Sequence, residues 1–148
     1  MQKIFNSTFE VSLRLLLLLS TTDGKDMTLD RIAAFDFISI YSRDFGLSDV
    51  SLHGDNEFGL SEYASRRSIS QKALQELVLD GAVKATSKSN GYCYSITPAG
   101  KNVAGKMTSQ YATEYKKLVK ITENRFRGFS DIEVIELING TTEDSLRR

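Results

Sequence analysis

A two-stranded ribbon in the second half of the chain constrains the fold more than any other feature. Val83 to Ser87 and Tyr92 to Ile96 are short runs with the composition and alternation of β-strands. Asn90-Gly91 lies between them, and this dipeptide is the strongest short-range hairpin signal because both residues tolerate a positive φ. The sequence therefore predicts an antiparallel hairpin that turns at Asn90.

Helices are predicted on both sides of this hairpin. Apolar residues recur at helical spacing over 61–80, with an expected break near Ser68, and Asp80-Gly81 ends the helix. Thr97 and Pro98 start the next helix as cap and first residue, and its apolar period predicts that it runs past residue 120.

Two further helices are predicted near the N-terminus. Ser7 and Glu10 form a capping box at the start of the first, and the second starts near Thr28. The leucine-rich segment Leu13–Leu19 is too short to span a bilayer, which needs roughly 20 apolar residues, so we expect a core helix and no membrane association.

The C-terminal part predicts one more short helix. Ser130 and Glu133 form a second capping box, and Asn139-Gly140 is expected to close the helix. We expect residues 1–140 to form a single domain and residues 141–148 to form a flexible tail. The predicted fold class is mainly α with a small β-hairpin.

Asp36 lies in the middle of a helix that is apolar on nearly all sides. A buried carboxylate needs a partner, because an isolated buried charge is costly. Arg14, on the neighbouring leucine-rich helix, is the candidate for a buried ion pair. The alternative places Asp36 on a strip that faces solvent.

Charge is distributed unevenly along a chain whose net charge is zero. Residues 21–62 carry nine acids and three bases, a net of −6, whereas residues 81–120 carry seven lysines and one glutamate, a net of +6. The basic part is suited to face phosphate, and the acidic part to face a basic partner or repel DNA.

Residue types that support catalysis or metal binding are scarce. One cysteine, Cys93, and one histidine, His53 in the long loop 44–60, provide neither a disulfide nor a metal site. The segment Gly100 to Lys106 fits most of a phosphate-binding loop, but Met107 stands where Ser or Thr should reach magnesium. We therefore expect no enzymatic activity, no cofactor and a reducing cytoplasmic location.

The segment from Leu74 to Gly100, with its Asp80-Gly81-Ala82-Val83 turn and its Tyr94-Ser95-Ile96-Thr97-Pro98 exit, resembles a winged helix-turn-helix domain. The resemblance implies that fold, with additional N- and C-terminal helices.

A narrower resemblance extends from Phe9 to about Tyr115. The chain is similar to the middle component of bacterial three-component ABC-ATPase systems, the group that includes Lamassu-type antiphage defence. The marks of this resemblance are Phe9-Glu10-Val11-Ser12-Leu13-Arg14, Leu29-Asp30-Arg31, Phe35-Asp36-Phe37, Ser51-Leu52-His53 and Arg66-Arg67. The chain departs from the family pattern at Gly54, because the pattern has a proline at that position.

This resemblance implies a non-catalytic subunit that bridges or regulates an SMC-like ABC ATPase and an effector, often a nuclease. The alternative is a winged-helix transcription regulator that binds DNA as a homodimer. Either function would use exposed basic residues, and the candidates for contact with a partner or with nucleic acid are Arg66, Arg67, Lys72, Lys84, Lys88, Lys101 and Lys106. The alternative is that these residues form a solvated basic face without a partner.

Overall fold

The computed structural model describes residues 7–22, 26–49, 52, 60–89 and 91–146. Helix α1 spans Thr8–Thr21, and the Ser7 hydroxyl caps it by accepting a hydrogen bond from the Glu10 amide at 3.1 Å. Its five consecutive leucines, Leu15 to Leu19, are all buried. The leucine-rich segment is thus a core helix, and no helix in the described part of the chain is long and apolar enough to cross a membrane.

Helix α2 spans Leu29–Ile40 and lies at the centre of the molecule. Thr28 caps it by accepting a hydrogen bond from the Arg31 amide, as predicted. Every residue from Ile32 to Ile40 is buried, because α2 packs against α1, α3, the sheet and two C-terminal helices. A helix surrounded on all sides must place any polar side chain against a partner within the fold.

Helix α3 spans Leu60–Leu79 as one continuous helix, so the expected break near Ser68 is wrong. Serine is only a weak helix breaker, and Ala73, Leu74 and Leu77 bury their side chains in the core. Tertiary packing therefore outweighs the local preference. The helix ends in a turn at Gly81, whose φ of 79° is in the left-handed region.

The sheet has three antiparallel strands, one more than predicted. Strand β2 (Val83–Lys88) pairs with β3 (Gly91–Ile96) as the expected hairpin, with Val83 opposite Ile96 and Lys88 opposite Gly91. Strand β1 (Met27–Thr28) pairs with the other edge of β3, which gives the order β1-β3-β2. Two residues are too few to show an alternating pattern. Asn90 lies outside the described residues.

The long helix predicted after Pro98 is in fact two helices. Helix α4 spans Pro98–Gly105 and helix α5 spans Gln110–Arg125. The break occurs because Ser109 caps α5, accepting a hydrogen bond from the Ala112 amide at 3.1 Å. Gly100 lets α4 approach the hairpin, since a Cβ there would lie 2.1 Å from the carbonyl oxygen of Ala82.

Helix α6 spans Asp131–Leu146 and follows a turn at Gly128, whose φ is 88°. The predicted capping box is present, because the Ser130 amide donates to Glu133 and the Glu133 amide donates to the Ser130 hydroxyl. The predicted end at Asn139-Gly140 is wrong, since glycine inside a helix costs only about 1 kcal/mol relative to alanine. Residues 141–146 continue α6 where a tail was expected.

The described chain is therefore mainly helical with a small three-stranded antiparallel sheet. Helix α1 packs against α2, α3, α4 and α5, so the N-terminal leucines form the middle of the core. The sheet and α4 lie at one edge of this helical body, and α6 packs on α2 and α3.

Candidate partner-binding surfaces

A buried ion pair joins three helices in the core. Arg14 of α1 donates from Nε to Oδ1 of Asp36 at 3.0 Å and from Nη2 to Oδ2 at 3.2 Å. The hydroxyl of Tyr115 in α5 donates to the same Oδ1 at 2.7 Å. Arg14 is 1% exposed and Asp36 is 2% exposed, so the structure has the ion pair and not the solvent-facing strip.

The network is locked in its charged form. Burial favours a raised pKa for Asp36, but the Arg14 charge and the hydrogen bonds from Arg14 and Tyr115 outweigh it, and the pKa is lowered. Burial likewise favours a lowered pKa for Arg14, which the Asp36 carboxylate overcomes, so that pKa is raised. Burial and the nearby Asp36 charge raise the pKa of Tyr115 well above its usual value. These groups hold the helices together and are poor proton donors or acceptors at neutral pH.

Arg66, a candidate contact residue, is engaged within the chain. Its Nε donates to Glu62 at 2.8 Å, its Nη2 donates to the Tyr41 hydroxyl at 2.9 Å, and its guanidinium lies 5.3 Å from the centre of the Tyr41 ring. Burial is the main cause that raises the pKa of Tyr41 to about 12. Arg66 therefore fastens α3 to the end of α2.

Arg67 and Lys88 also make ion pairs inside the chain. Arg67 donates to Asp30 at 2.7 Å and joins α3 to the start of α2. Lys88, at the end of β2, lies 3.6 Å from Asp26, which precedes β1. Both pairs are over one-third exposed, so solvent weakens them and each contributes little stability.

The other four basic candidates have exposed side chains. Lys72 lies on α3, Lys84 lies on β2, and Lys101 and Lys106 lie on α4 and at its end. Arg66 and Arg67 differ from them because their charges are compensated by Glu62 and Asp30. Sequence reasoning could not make this separation, since the acidic partner of Arg67 is distant along the chain.

A cleft of about 720 Å³ lies between α1 and the corner where α4 meets α5. Leu13 and Leu17 line one wall, Met107 and Tyr111 line the other, and Lys106 and Glu10 also reach it. This cleft was not predicted, because residues 98–120 were expected to form one continuous helix. The sequence does carry a signal for the break between α4 and α5. Gly105 is a residue type that ends helices, and Ser109, four residues later, is a residue type that caps the start of the next one.

A second hollow, of about 270 Å³, lies beside the turn before α6. Its wall includes Arg31 and Phe129, and Arg31 donates to Asp131 at 2.7 Å and to the Phe129 carbonyl. Thr28 donates to the other oxygen of Asp131 at 2.6 Å. The hollow is thus bordered by the contacts that attach α6 to α2.

The residues that the sequence offered for phosphate binding, nucleophilic catalysis or metal binding do not form a common site in the described part of the chain. Gly100 and Gly105 are inside α4, whereas a phosphate-binding loop needs them between a strand and a helix. Cys93 is half-buried in the middle strand β3, and His53 lies outside the described residues. Among the described residues, no group of three or more His, Cys, Asp or Glu side chains is placed to hold a metal ion.

Comparison with known protein families gives a match over residues 4–148. The matching family is described as the ABC-three component (ABC-3C) system Middle Component 2. The chain belongs to this family. No curated protein and no solved structure matches the chain.

Membership of the Middle Component 2 family makes the chain an accessory component of an ABC ATPase system. A component of this kind must present surfaces to other subunits. The described Middle Component 2 chain presents three features of that kind: exposed lysines, the cleft between α1 and the α4–α5 corner, and exposed apolar side chains, with Phe9, Leu79, Tyr92 and Val103 among them.

Proposed function

We propose that this chain is a non-catalytic accessory subunit of a bacterial antiphage defence complex of the Lamassu-like type. It docks on an SMC-like ABC ATPase and bridges or regulates that ATPase and a nuclease effector. The observation that carries the proposal is the family match across nearly the whole chain, which names a middle component of a three-component system.

The scaffold that we propose is a winged helix. Its support is the order α1, β1, α2, α3, β2, β3 and the sheet order β1-β3-β2, in which α3 leads directly into the hairpin. Helices α1, α2, α3, α5 and α6 all bury side chains in the core, whereas Val83 and Ile96 are the buried residues of the two hairpin strands. Such a scaffold presents surfaces to macromolecules and is suited to bridging.

The electrostatics also support a scaffold. The pKa values of Arg14, Asp36 and Tyr115 are all shifted, and the three groups are buried and satisfied by one another. Catalytic acids and bases usually have a pKa near the working pH and lie in a cleft. In this network the pKa of Arg14 is raised and that of Asp36 is lowered, so both stay ionised at neutral pH. Permanently ionised groups fit a structural role.

Co-expression tests the proposed function. The tagged chain should co-purify with the ATPase encoded beside it, in a fixed ratio and in the presence of nuclease that removes DNA. Two proteins that elute separately, with each folded, would contradict the docking. Phage infection of cells that carry the three genes, with and without this one, would test the defence role.

A DNA-binding homodimer is the second candidate, favoured by exposed Lys72 on α3 and Lys84 on the hairpin. It predicts duplex binding that weakens steeply with added salt and on changing Lys84 and Lys88 to glutamate. The intramolecular ion pairs of Arg66 and Arg67 weigh against it, because these guanidiniums already have carboxylate partners. Absence of binding at low salt would remove this candidate.

A further inference from the structure

Helix α1 carries a row of apolar side chains that passes from the core to solvent. Phe9, Leu13 and Leu17 are four residues apart and so share one face of the helix. Leu17 is buried, Leu13 is half-buried, and Phe9 is 69% exposed. The row therefore offers apolar surface beyond the part that the core covers, at the N-terminal end of α1.

The cleft of about 720 Å³ opens beside this row. Leu13 and Leu17 form one wall, and Met107, Tyr111 and Ala112 form the other. The volume lies within the range of about 300–1,000 Å³ that is typical of binding clefts. One wall belongs to α1 and the other to the connection between α4 and α5 and the start of α5, so the cleft is a groove in which a partner helix can lie.

The floor of the groove is fixed in advance. Arg14 reaches it, and the Arg14 guanidinium is held by two hydrogen bonds to Asp36. Tyr115 holds the same carboxylate from the next helix. A surface whose side chains are already ordered loses less entropy when a partner binds.

The wall formed by the α4–α5 corner carries one exposed positive charge, that of Lys106. The positive end of the α5 dipole starts at Gln110, beside the cleft residues Thr108 and Ser109. Glu10 provides the one acidic group at the opposite wall. A segment that fills the groove needs an apolar face and carboxylates on the side facing Lys106.

We propose that this groove receives an amphipathic helix of the ABC ATPase subunit that presents a carboxylate to Lys106. The apolar face of that helix packs on Phe9, Leu13 and Met107, and one of its carboxylates pairs with Lys106. This inference rests on the proposed function and names the surface through which docking occurs.

The test is the dissociation constant of the full chain with the purified ATPase subunit, measured by calorimetry. Phe9→Asp should weaken binding by at least tenfold, because it replaces an aromatic contact with a charge that the apolar face of the partner helix cannot satisfy. Lys106→Glu should weaken binding by roughly fivefold and reduce its dependence on salt. Both side chains are exposed, so folding should survive, and melting temperatures check this.

Ile132→Asp and Lys117→Glu are matched controls. Ile132 is 69% exposed like Phe9 but lies on α6, and Lys117 is an exposed lysine on α5 that does not line the cleft. Both should leave the dissociation constant within about twofold of the unaltered chain, as is usual for residues outside an interface.

Each outcome is decisive. If the unaltered chain does not bind the ATPase, the proposed function and this inference both fail. If the chain binds and the Phe9→Asp and Lys106→Glu variants bind equally well, only the inference fails. If Phe9→Asp instead dissociates a dimer of this chain, the occupant is a second copy and the inference is overturned.

Discussion

Asp36 shows how one residue determines the packing of several helices. Its carboxylate accepts hydrogen bonds from Arg14 in α1 and Tyr115 in α5 while its own backbone lies in α2. Removing one member of a buried pair leaves the other charge without compensation, which commonly costs about 3–5 kcal/mol. This is a large part of a typical stability of roughly 5–15 kcal/mol.

Asp36→Asn should therefore lower the free energy of unfolding by about 3–5 kcal/mol, measured by urea denaturation. The double variant Arg14→Met, Asp36→Leu should cost less than the sum of its two single changes, because it leaves neither charge unpaired. Strict additivity would show that the two residues contribute independently.

The same carboxylate predicts how stability depends on pH. Its folded pKa is lowered from 3.8, so the unfolded state binds more protons in acid. The stabilisation is fully present above the pKa that Asp36 has in the unfolded chain. It is lost as the pH falls through the lower pKa that Asp36 has in the folded protein. Between about pH 5 and pH 3, the unfolding free energy of the wild type should fall more steeply than that of Asp36→Asn. Parallel curves would contradict the assigned ion pair.

The close approach of α4 to the hairpin at Gly100 predicts that a larger residue there destabilises the protein. A Cβ at this position would lie 2.1 Å from the Ala82 carbonyl oxygen and 2.8 Å from Cγ1 of Ile96, so α4 would have to shift. Gly100→Ala should destabilise the protein by roughly 2–3 kcal/mol. Gly105→Ala, in the same helix with no atom within 4 Å of its Cβ, is the control. Thermal melts that show equal effects would exclude the close approach.

At the scale of elements, α6 is attached to the body by a small set of contacts. Asp131 accepts hydrogen bonds from Arg31 and Thr28, and Val134 and Ile138 bury their side chains. Arg31→Met should remove the ion pair while keeping the aliphatic stem. We expect amide exchange in α6 to accelerate by about tenfold, which corresponds to about 1.4 kcal/mol, while α1 and α2 are unchanged. Uniform acceleration in all helices would mean that α6 does not open separately.

The elements also show which features of the fold can be predicted from sequence. Caps carry strong local information, so the starts at Ser7, Thr28, Thr97 and Ser130 agree with the structure. Helix ends and breaks depend on tertiary packing, which explains the errors at Ser68 and at Asn139-Gly140. Strand β1 is formed only by pairing with β3, and no local pattern marks it.

The candidate site was less predictable than the fold. Arg14 and Asp36 could be paired because a buried charge in an apolar helix requires a partner. Arg67 could not be separated from the exposed lysines, because its partner Asp30 is 37 positions away. The cleft depends on the break between α4 and α5, and the apolar period of 98–120 continues across that break.

At the scale of the whole molecule, the acidic stretch 21–62 and the basic stretch 81–120 give one small chain two unlike charges. The proposed bridging role would use both, since complementary charge selects partners and speeds association. The core holds Arg14 and Asp36 in a fixed ion pair, whereas Lys72, Lys84, Lys101 and Lys106 are exposed at the surface.

The mass of the particle formed by the chain and the ATPase encoded beside it tests this account most directly. Light scattering after co-expression and gel filtration should give one species whose mass equals a fixed stoichiometric sum of the two proteins. The account is contradicted if the chain elutes alone, as a monomer or a dimer, while the ATPase is folded and present.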